Sequence, residues 1–121
     1  MAACTMAATA EACAILAAEG IDAAQAYEVF TRSTSDSSVL RRRFPLPGVR
    51  REHPSSNGYA PMFRLDLLHK DLLLALELAA EDGIETPVAQ EAFRAYAAAL
   101  AAGHGGLDYS AVIEAVRRPT A

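Results

Sequence analysis

The fold depends most on the segment from Met62 to Asp82, which reads MFRLDLLHKDLLLALELAAED. Its second half, Leu72 to Ala80, is apolar at every position except Glu77, a pattern typical of a helix that neighbours cover on most sides. At a rise of about 1.5 Å per residue, this helix would be roughly 25 to 30 Å long. Gly83 follows directly and suits the left-handed position at which helices often end. We therefore predict a long central helix over residues 62-82.

The rest of the chain also has helical patterns. The Ala-rich segment from Ala2 ends at Gly20, and Asp22 with Gln25 forms a capping pair for the next helix. The other predicted helices cover residues 2-19, 23-32, 87-102 and 110-118, with a short one that Asp36 caps and that ends at Arg43. Thr86 and Asp108 stand at the cap positions of the last two. Because no segment alternates with the period of two that a strand needs, we predict an all-α fold of about five helices in a single domain, residues 1-121.

Residues 44-61 interrupt this helical pattern. The segment is rich in proline and glycine and contains the turn signal Ser55-Ser56-Asn57-Gly58. It is longer than packing requires, so it is either functional or loosely ordered. Five arginines lie in or beside it: Arg41, Arg42, Arg43, Arg50 and Arg51. They form either a solvated surface or a site that captures a phosphate or carboxylate.

Composition argues against several classes of protein. The chain has 121 residues, a net charge of −4 and a pI near 5.3, so nucleic acid is not an expected partner. Cys4 and Cys13 lie nine positions apart on one predicted helix, too far to bridge each other, and suit a reducing compartment. The N-terminal segment lacks the basic start of a signal peptide and is mostly alanine. We expect a cytoplasmic protein with no membrane partner.

The common cofactor and metal motifs do not occur. The sequence has no G-x-G-x-x-G, no phosphate-binding Walker loop and no C-x-x-C. The histidines, His53, His69 and His104, lack the spacing of metal ligands. We therefore predict no metal site, and we expect that the isolated chain cannot hold a dinucleotide pyrophosphate tightly.

A polar patch precedes the apolar half of the predicted central helix. It consists of Asp66, His69, Lys70 and Asp71, and Lys70 is the only lysine in the chain. An amphipathic stripe explains Asp66 and Lys70, which lie four residues apart on one face. It explains Asp71 less well, because a carboxylate among leucines needs a partner. The patch is either a solvated face or a functional site.

Motifs at this patch and after it have a familiar order. They are Phe63, Lys70-Asp71-Leu72, Gly83 with Pro87, the turn Gly103-His104-Gly105-Gly106, and Asp108-Tyr109-Ser110. The set resembles the C-terminal helical domain of the β-hydroxyacid dehydrogenases, particularly the 3-hydroxyisobutyrate dehydrogenase type. The resemblance covers nearly the whole chain and departs from the family at Met62, where a glycine is frequent. It implies a fold like the C-terminal domain of 6-phosphogluconate dehydrogenase.

The resemblance also implies roles for three residues. Lys70 would contact a nicotinamide cofactor, NAD or NADP, with Phe63 lining the same side, and Asp71 is the candidate on the substrate side. The family's catalytic lysine and substrate-binding asparagine would fall before Met1, as would its N-terminal Rossmann domain. We therefore expect no catalytic residue in this chain, the Rossmann domain to be absent, and no hydride transfer by the chain alone.

Two functions from different classes follow from these observations. The first is the cleft-wall and dimerisation domain of an NAD(P)-dependent β-hydroxyacid dehydrogenase, with a Rossmann domain as a further partner. The alternative is a non-enzymatic helical interaction or oligomerisation module derived from that family. In both we expect a homodimer, because the first helix is uncapped and lined with small apolar residues.

Overall fold

A computed structural model describes residues 1–117. Within them lie six α-helices: α1 (Ala2–Ala18), α2 (Ala23–Thr31), α3 (Ser38–Arg42), α4 (Leu65–Glu81), α5 (Pro87–Ala101) and α6 (Ile113–Val116). Two 3-10 helices occupy Pro54–Asn57 and Tyr109–Val112. The described residues form no strand, and a single antiparallel bridge pairs Arg64 with Asp108. The all-α prediction is confirmed.

The helix at the centre of the core is α1. It packs against α5, α6, α3 and α2, and its buried positions recur every three or four residues. They are Ala3, Met6, Ala7, Thr9, Ala10 and Cys13. The small side chains let neighbouring helices approach closely, and Tyr96 on α5 donates a hydrogen bond from its hydroxyl to the carbonyl of Ala3 at 2.8 Å. Most of this apolar face is therefore already buried within the chain, so the expectation that α1 is left open for a dimer contact is wrong.

The helix predicted over residues 62-82 is present as α4, but its bounds and burial differ from the prediction. It begins at Leu65 and ends at Glu81, and Gly83 takes a left-handed φ of 69° as expected. It packs on α5 and on the 109–112 helix and buries only Leu65 and Leu72. The apolar pattern indicated cover on most sides, whereas this chain covers one side. Within residues 1–117, α4 therefore lies at the edge of the core rather than at its centre.

The segment 44–61 is a packed part of the core. Phe44, Leu46 and His53 are buried, and the ring of Phe44 packs edge-on against Tyr27 at 5.3 Å. The hydroxyl of Ser55 donates to the carbonyls of Phe44 and Leu46 at 2.7 and 3.1 Å. The segment therefore supplies buried side chains to the core, although it contains only one short 3-10 helix.

Helix starts agree with the prediction in part. The side chain of Asp22 accepts a hydrogen bond from the amide of Gln25, as predicted. Ser37, rather than Asp36, caps α3. Thr86 makes no side-chain cap bond, and Asp108 caps the 109–112 helix, which continues into α6. The predicted helix end at Arg118 lies outside the described residues.

Candidate functional site

The predicted site residues Lys70 and Asp71 lie on the open face of α4. Both are exposed, and helical periodicity places them on the same face as Leu67, Leu74 and Leu78. These leucines are 43%, 56% and 59% exposed. The chain therefore presents an ammonium and a carboxylate in the middle of an uncovered apolar face, which we call the α4 face (Leu67, Lys70, Asp71, Leu74 and Leu78).

No side chain caps the start of α4 at Arg64. Main-chain carbonyls of another segment accept the hydrogen bonds of its first amides instead. The amide of Leu65 donates to the carbonyl of Leu107 at 2.8 Å, and the amide of Asp66 donates to that of Gly105 at 3.0 Å. A Cβ on Gly105 would lie 2.7 Å from Cδ1 of Leu100, so a side chain at this position would require the end of the Leu100 side chain to move. The glycine turn that resembles the family's motif thus serves to hold the helix that carries Lys70.

Phe63 is held by Asp108 and Tyr109, which follow this turn. Its ring packs edge-on against Tyr109 at 6.3 Å, and its carbonyl accepts a hydrogen bond from the Tyr109 amide at 3.0 Å. Its own amide donates to Oδ1 of Asp108 at 3.1 Å. The side chain remains 38% exposed. Phe63 is therefore an aromatic surface fixed on one side and open on the other.

The polar patch contains an ion pair between Asp66 and Arg64. Asp66 accepts two hydrogen bonds from the guanidinium of Arg64, at 3.1 and 2.6 Å, so it is not the partner of Lys70. Within residues 1–117 neither Lys70 nor Asp71 forms an ion pair. Their charges are left available to a ligand or to another part of the protein.

Histidine 69 belongs to the packing of α4 on α5. Its ring stacks on Phe93 with centroids 4.5 Å apart and an interplanar angle of 24°. His53 is buried, and its Nε2 lies 2.7 Å from the carbonyl of Arg41. No group of three potential metal ligands occurs in the part of the chain that the structure describes.

Burial favours the protonated forms of one thiol and three tyrosine hydroxyls. Burial raises the pKa of the Cys13 thiol to about 12 and also raises the pKa of Tyr59, Tyr96 and Tyr109. For Tyr109, which packs on Phe63, the guanidinium of Arg43 opposes this effect. None of these four groups is poised to act as a base near neutral pH.

The α4 face is open rather than concave. Three surface grooves, of about 670, 800 and 460 Å³, run along α1, α2 and the start of α5, and Phe63, Lys70 and Asp71 line none of them. A ligand on the α4 face would touch this chain on one side only. A site there needs a second wall.

Sequence reasoning missed Arg43, whose Nε lies 3.2 Å from Oδ1 of the fully buried Asp108. Four of the five arginines, Arg41, Arg42, Arg50 and Arg51, are exposed as a solvated surface would require, whereas Arg43 is half-buried. Arg41 pairs with Asp36 at 2.7 Å, and Arg50 lies over the ring of Tyr27 at 5.3 Å. No spacing in the sequence marks Arg43, because its partner lies 65 residues away.

No helix in the described residues is both long and apolar enough to cross a membrane.

Comparison with known proteins places this chain. Residues 1–116 match the family described as NAD-binding of NADP-dependent 3-hydroxyisobutyrate dehydrogenase. The 3-hydroxyisobutyrate dehydrogenase of Pseudomonas aeruginosa is 41% identical over 110 residues, which are 88% of this chain and 37% of that protein. The L-threonate dehydrogenase of Cupriavidus necator is 35% identical over 109 residues, 90% of this chain and 34% of that protein.

Among solved structures, the Mycobacterium tuberculosis 3-hydroxyisobutyrate dehydrogenase with L-serine matches with a TM-score of 0.89 and 34% identity, covering 96% of this chain and 40% of that one. The chain thus spans little more than a third of the length of these relatives. The match extends over nearly all of the chain in both sequence and fold. The chain therefore belongs to the NAD-binding domain family of the NADP-dependent 3-hydroxyisobutyrate dehydrogenases, and corresponds to the helical part of a β-hydroxyacid dehydrogenase of that type.

Proposed function

We propose that this chain forms one wall of the cofactor and substrate cleft of an NAD(P)-dependent β-hydroxyacid dehydrogenase, opposite a Rossmann domain. The observation that supports this most is the α4 face, where Lys70 and Asp71 are unpaired among exposed leucines; Phe63, two residues before the start of α4, is also partly open. Charged groups in such a setting gain strength when a second wall excludes water.

Each residue has a proposed role that fits its chemistry. Lys70 offers a flexible cation to a phosphate or ribose oxygen of the dinucleotide, and Phe63 offers an apolar surface to the nicotinamide side. Asp71, turned about 100° from Lys70 around the helix, accepts hydrogen bonds from a substrate hydroxyl or amine. The relatives named for 3-hydroxyisobutyrate and L-threonate suggest a short hydroxyacid as substrate. No residue of this chain is assigned the acid/base role.

The isolated chain is expected neither to bind NAD(H) tightly nor to oxidise hydroxyacids. Nothing among residues 1–117 cradles a pyrophosphate, and one open wall leaves the adenine and ribose unheld. Titration of NADH and NADPH by fluorescence measures this. Micromolar binding, or turnover of 3-hydroxyisobutyrate above background, would contradict the proposal that this chain supplies only one wall of the cleft.

The positive test is a fusion in which this chain replaces the matching segment of the M. tuberculosis enzyme. We expect NAD(P)-dependent oxidation of 3-hydroxyisobutyrate or L-serine, with KM for the cofactor raised at least tenfold by Lys70→Met. Arg94→Met is the matched control, because Arg94 is also an exposed cation and pairs only with Glu91 at 2.6 Å. An active fusion in which Lys70→Met and Arg94→Met behave alike would refute the role of Lys70.

Dimerisation is the second part of the proposal. The leucines of the α4 face, with Ile84 59% exposed beyond its end, are the apolar surface best placed for a second copy when the chain of 121 residues is studied by itself. Light scattering after size exclusion should show a dimer that Leu78→Glu dissociates. Ile15→Glu is the control, since Ile15 is 64% exposed but lies on α1. A monomer at every concentration would refute dimerisation.

The alternative, a non-enzymatic oligomerisation module, makes the opposite forecast for the fusion. The same α4 face would then serve only for self-association. Dimers that Leu78→Glu dissociates, together with a folded fusion that binds NADH but shows no turnover, would favour the module. We place either protein in the cytoplasm, because both cysteines are free thiols and Cys13 is completely buried.

A further inference from the structure

A buried ion pair lies beside the proposed site without being exposed to it. The side chain of Asp108 is fully buried and that of Arg43 is 13% exposed. A lone carboxylate in that position would be strongly unfavourable unless hydrogen-bond donors surround it. The contacts of Asp108 show where those donors come from.

One carboxylate oxygen of Asp108 binds the main chain of Met62 and Phe63. Oδ1 accepts hydrogen bonds from the amides of Met62 and Phe63, both at 3.1 Å, and from Nε of Arg43 at 3.2 Å. The other oxygen, Oδ2, accepts from the amide and hydroxyl of Ser110, at 3.1 and 2.7 Å. The two oxygens thus have separate tasks, because Oδ2 caps its own helix while Oδ1 holds a segment 45 and 46 residues away in the sequence.

Arg43 reaches the same segment by a second route. Its guanidinium carbon lies 4.6 Å from the centroid of the Tyr109 ring, a distance suited to a cation–π contact. Tyr109 in turn packs edge-on against the ring of Phe63. The pair therefore acts on both the main chain and the side chain of Phe63.

We propose that Arg43 and Asp108, the Arg43–Asp108 clamp, are positioning residues that set the Phe63 ring and the entry into α4, and hence the place of Lys70. Neither residue touches the ligand. The clamp is buried and charge-assisted, so it holds the Met62–Phe63 segment in one place before a ligand arrives. The ligand-directed part of this inference rests on the proposed function.

Hydrogen exchange of the chain itself tests the clamp without any ligand. Asp108→Asn keeps the shape of the side chain but removes the charge that strengthens the Oδ1 bonds. We expect the protection of the Met62 and Phe63 amides to fall at least tenfold, relative to core amides of α1. Ser110→Ala removes only a donor to Oδ2 and should change these two amides by less than about threefold, well under the tenfold that corresponds to 1.4 kcal/mol.

A milder variant covers the case in which Asp108→Asn does not fold. Arg43→Lys keeps the positive charge but loses the planar group that stacks on Tyr109. It should shift the NMR signals of the Phe63 ring and lower the protection of the Phe63 amide severalfold. Protection at Met62 and Phe63 equal to the parent in every folded variant would overturn the clamp.

Kinetics of the fusion enzyme separate the clamp from the proposed function. A residue that positions Phe63 and Lys70 should raise KM for the dinucleotide, whereas general destabilisation lowers the amount of active enzyme and leaves KM alone. Ser55→Ala is the structural control, because Ser55 bonds only to the carbonyls of Phe44 and Leu46. We expect Asp108→Asn to raise KM at least fivefold and Ser55→Ala to leave it unchanged.

The two failures are distinguishable. Unchanged exchange in Asp108→Asn overturns the clamp, whatever the enzyme does. Lower protection of the Met62 and Phe63 amides with an unchanged KM for the dinucleotide would support the clamp and contradict the assignment of Phe63 and Lys70 to the cofactor side.

Discussion

Replacing Leu72 by alanine tests how α4 packs in this chain. Leu72 is 8% exposed, so nearly its whole side chain is out of water, whereas Leu74, two residues along the same helix, is 56% exposed. The same substitution at both positions changes helix propensity equally, and the difference between them isolates burial.

The expected costs follow from those exposures. Leu to Ala at a buried position costs about 2–5 kcal/mol, including the cavity that remains, so we expect about 3 kcal/mol for Leu72→Ala. At Leu74 less than half of the side chain is buried, and the loss should stay below about 1 kcal/mol. Because a domain of this size has a total stability of roughly 5–15 kcal/mol, the first change should lower the melting temperature by about 10 °C and the second by only a few degrees.

Urea denaturation and thermal melts of the two variants provide the measurement. In a monomeric sample, equal losses for Leu72→Ala and Leu74→Ala would refute the open α4 face, because Leu74 would then be covered by the chain itself; in a dimer they would show that the second copy covers Leu74. Light scattering on the same samples would show whether a second copy provides that cover. A loss below about 1 kcal/mol for Leu72→Ala would mean that α4 does not pack on α5 as described.

Two further predictions concern a glycine and the interior thiol. Gly105→Ala should destabilise the chain by about 0.5–1.5 kcal/mol in a thermal melt, because the new Cβ would push the end of the Leu100 side chain from its rotamer. Gly106→Ala, which meets nothing within 4 Å, should have a smaller effect, and equal melting temperatures would contradict the close packing of Leu100 on that turn. Burial raises the pKa of Cys13 from 9.0 to about 12, so between these pH values the folded chain retains a proton that the unfolded chain releases. The contribution of the buried thiol to the free energy of unfolding is therefore complete below pH 9.0 and is lost as the pH rises toward 12. The free energy of unfolding measured across that range should fall less steeply in Cys13→Ala than in the parent chain. An equal fall in both would contradict the raised pKa of Cys13.

Much of the fold was predictable because local signals determine it. The cap at Asp22 and the helix ends at Gly20 and Gly83 depend on residues within one turn, and the absence of a period of two excluded strands. The ordered motifs also identified the family. Helical periodicity places Lys70 and Asp71 on one face of α4, and Phe63 lies two residues before the helix begins, but their roles stay predictions.

The tertiary structure decided which helix is central and how the site is held. The leucine-rich α4 looked like the core from its pattern, yet hydrophobicity records only that a side chain prefers cover and does not say which part of the protein provides it. Cover depends on contacts between distant segments, and these placed the alanine-rich α1 at the centre. The bond between Arg43 and Asp108 joins residues 65 positions apart, a distance over which no periodicity or cap operates. The sequence by itself determined the helices, because their hydrogen bonds are local; their burial and the clamp behind Phe63 arise only when the chain closes on itself.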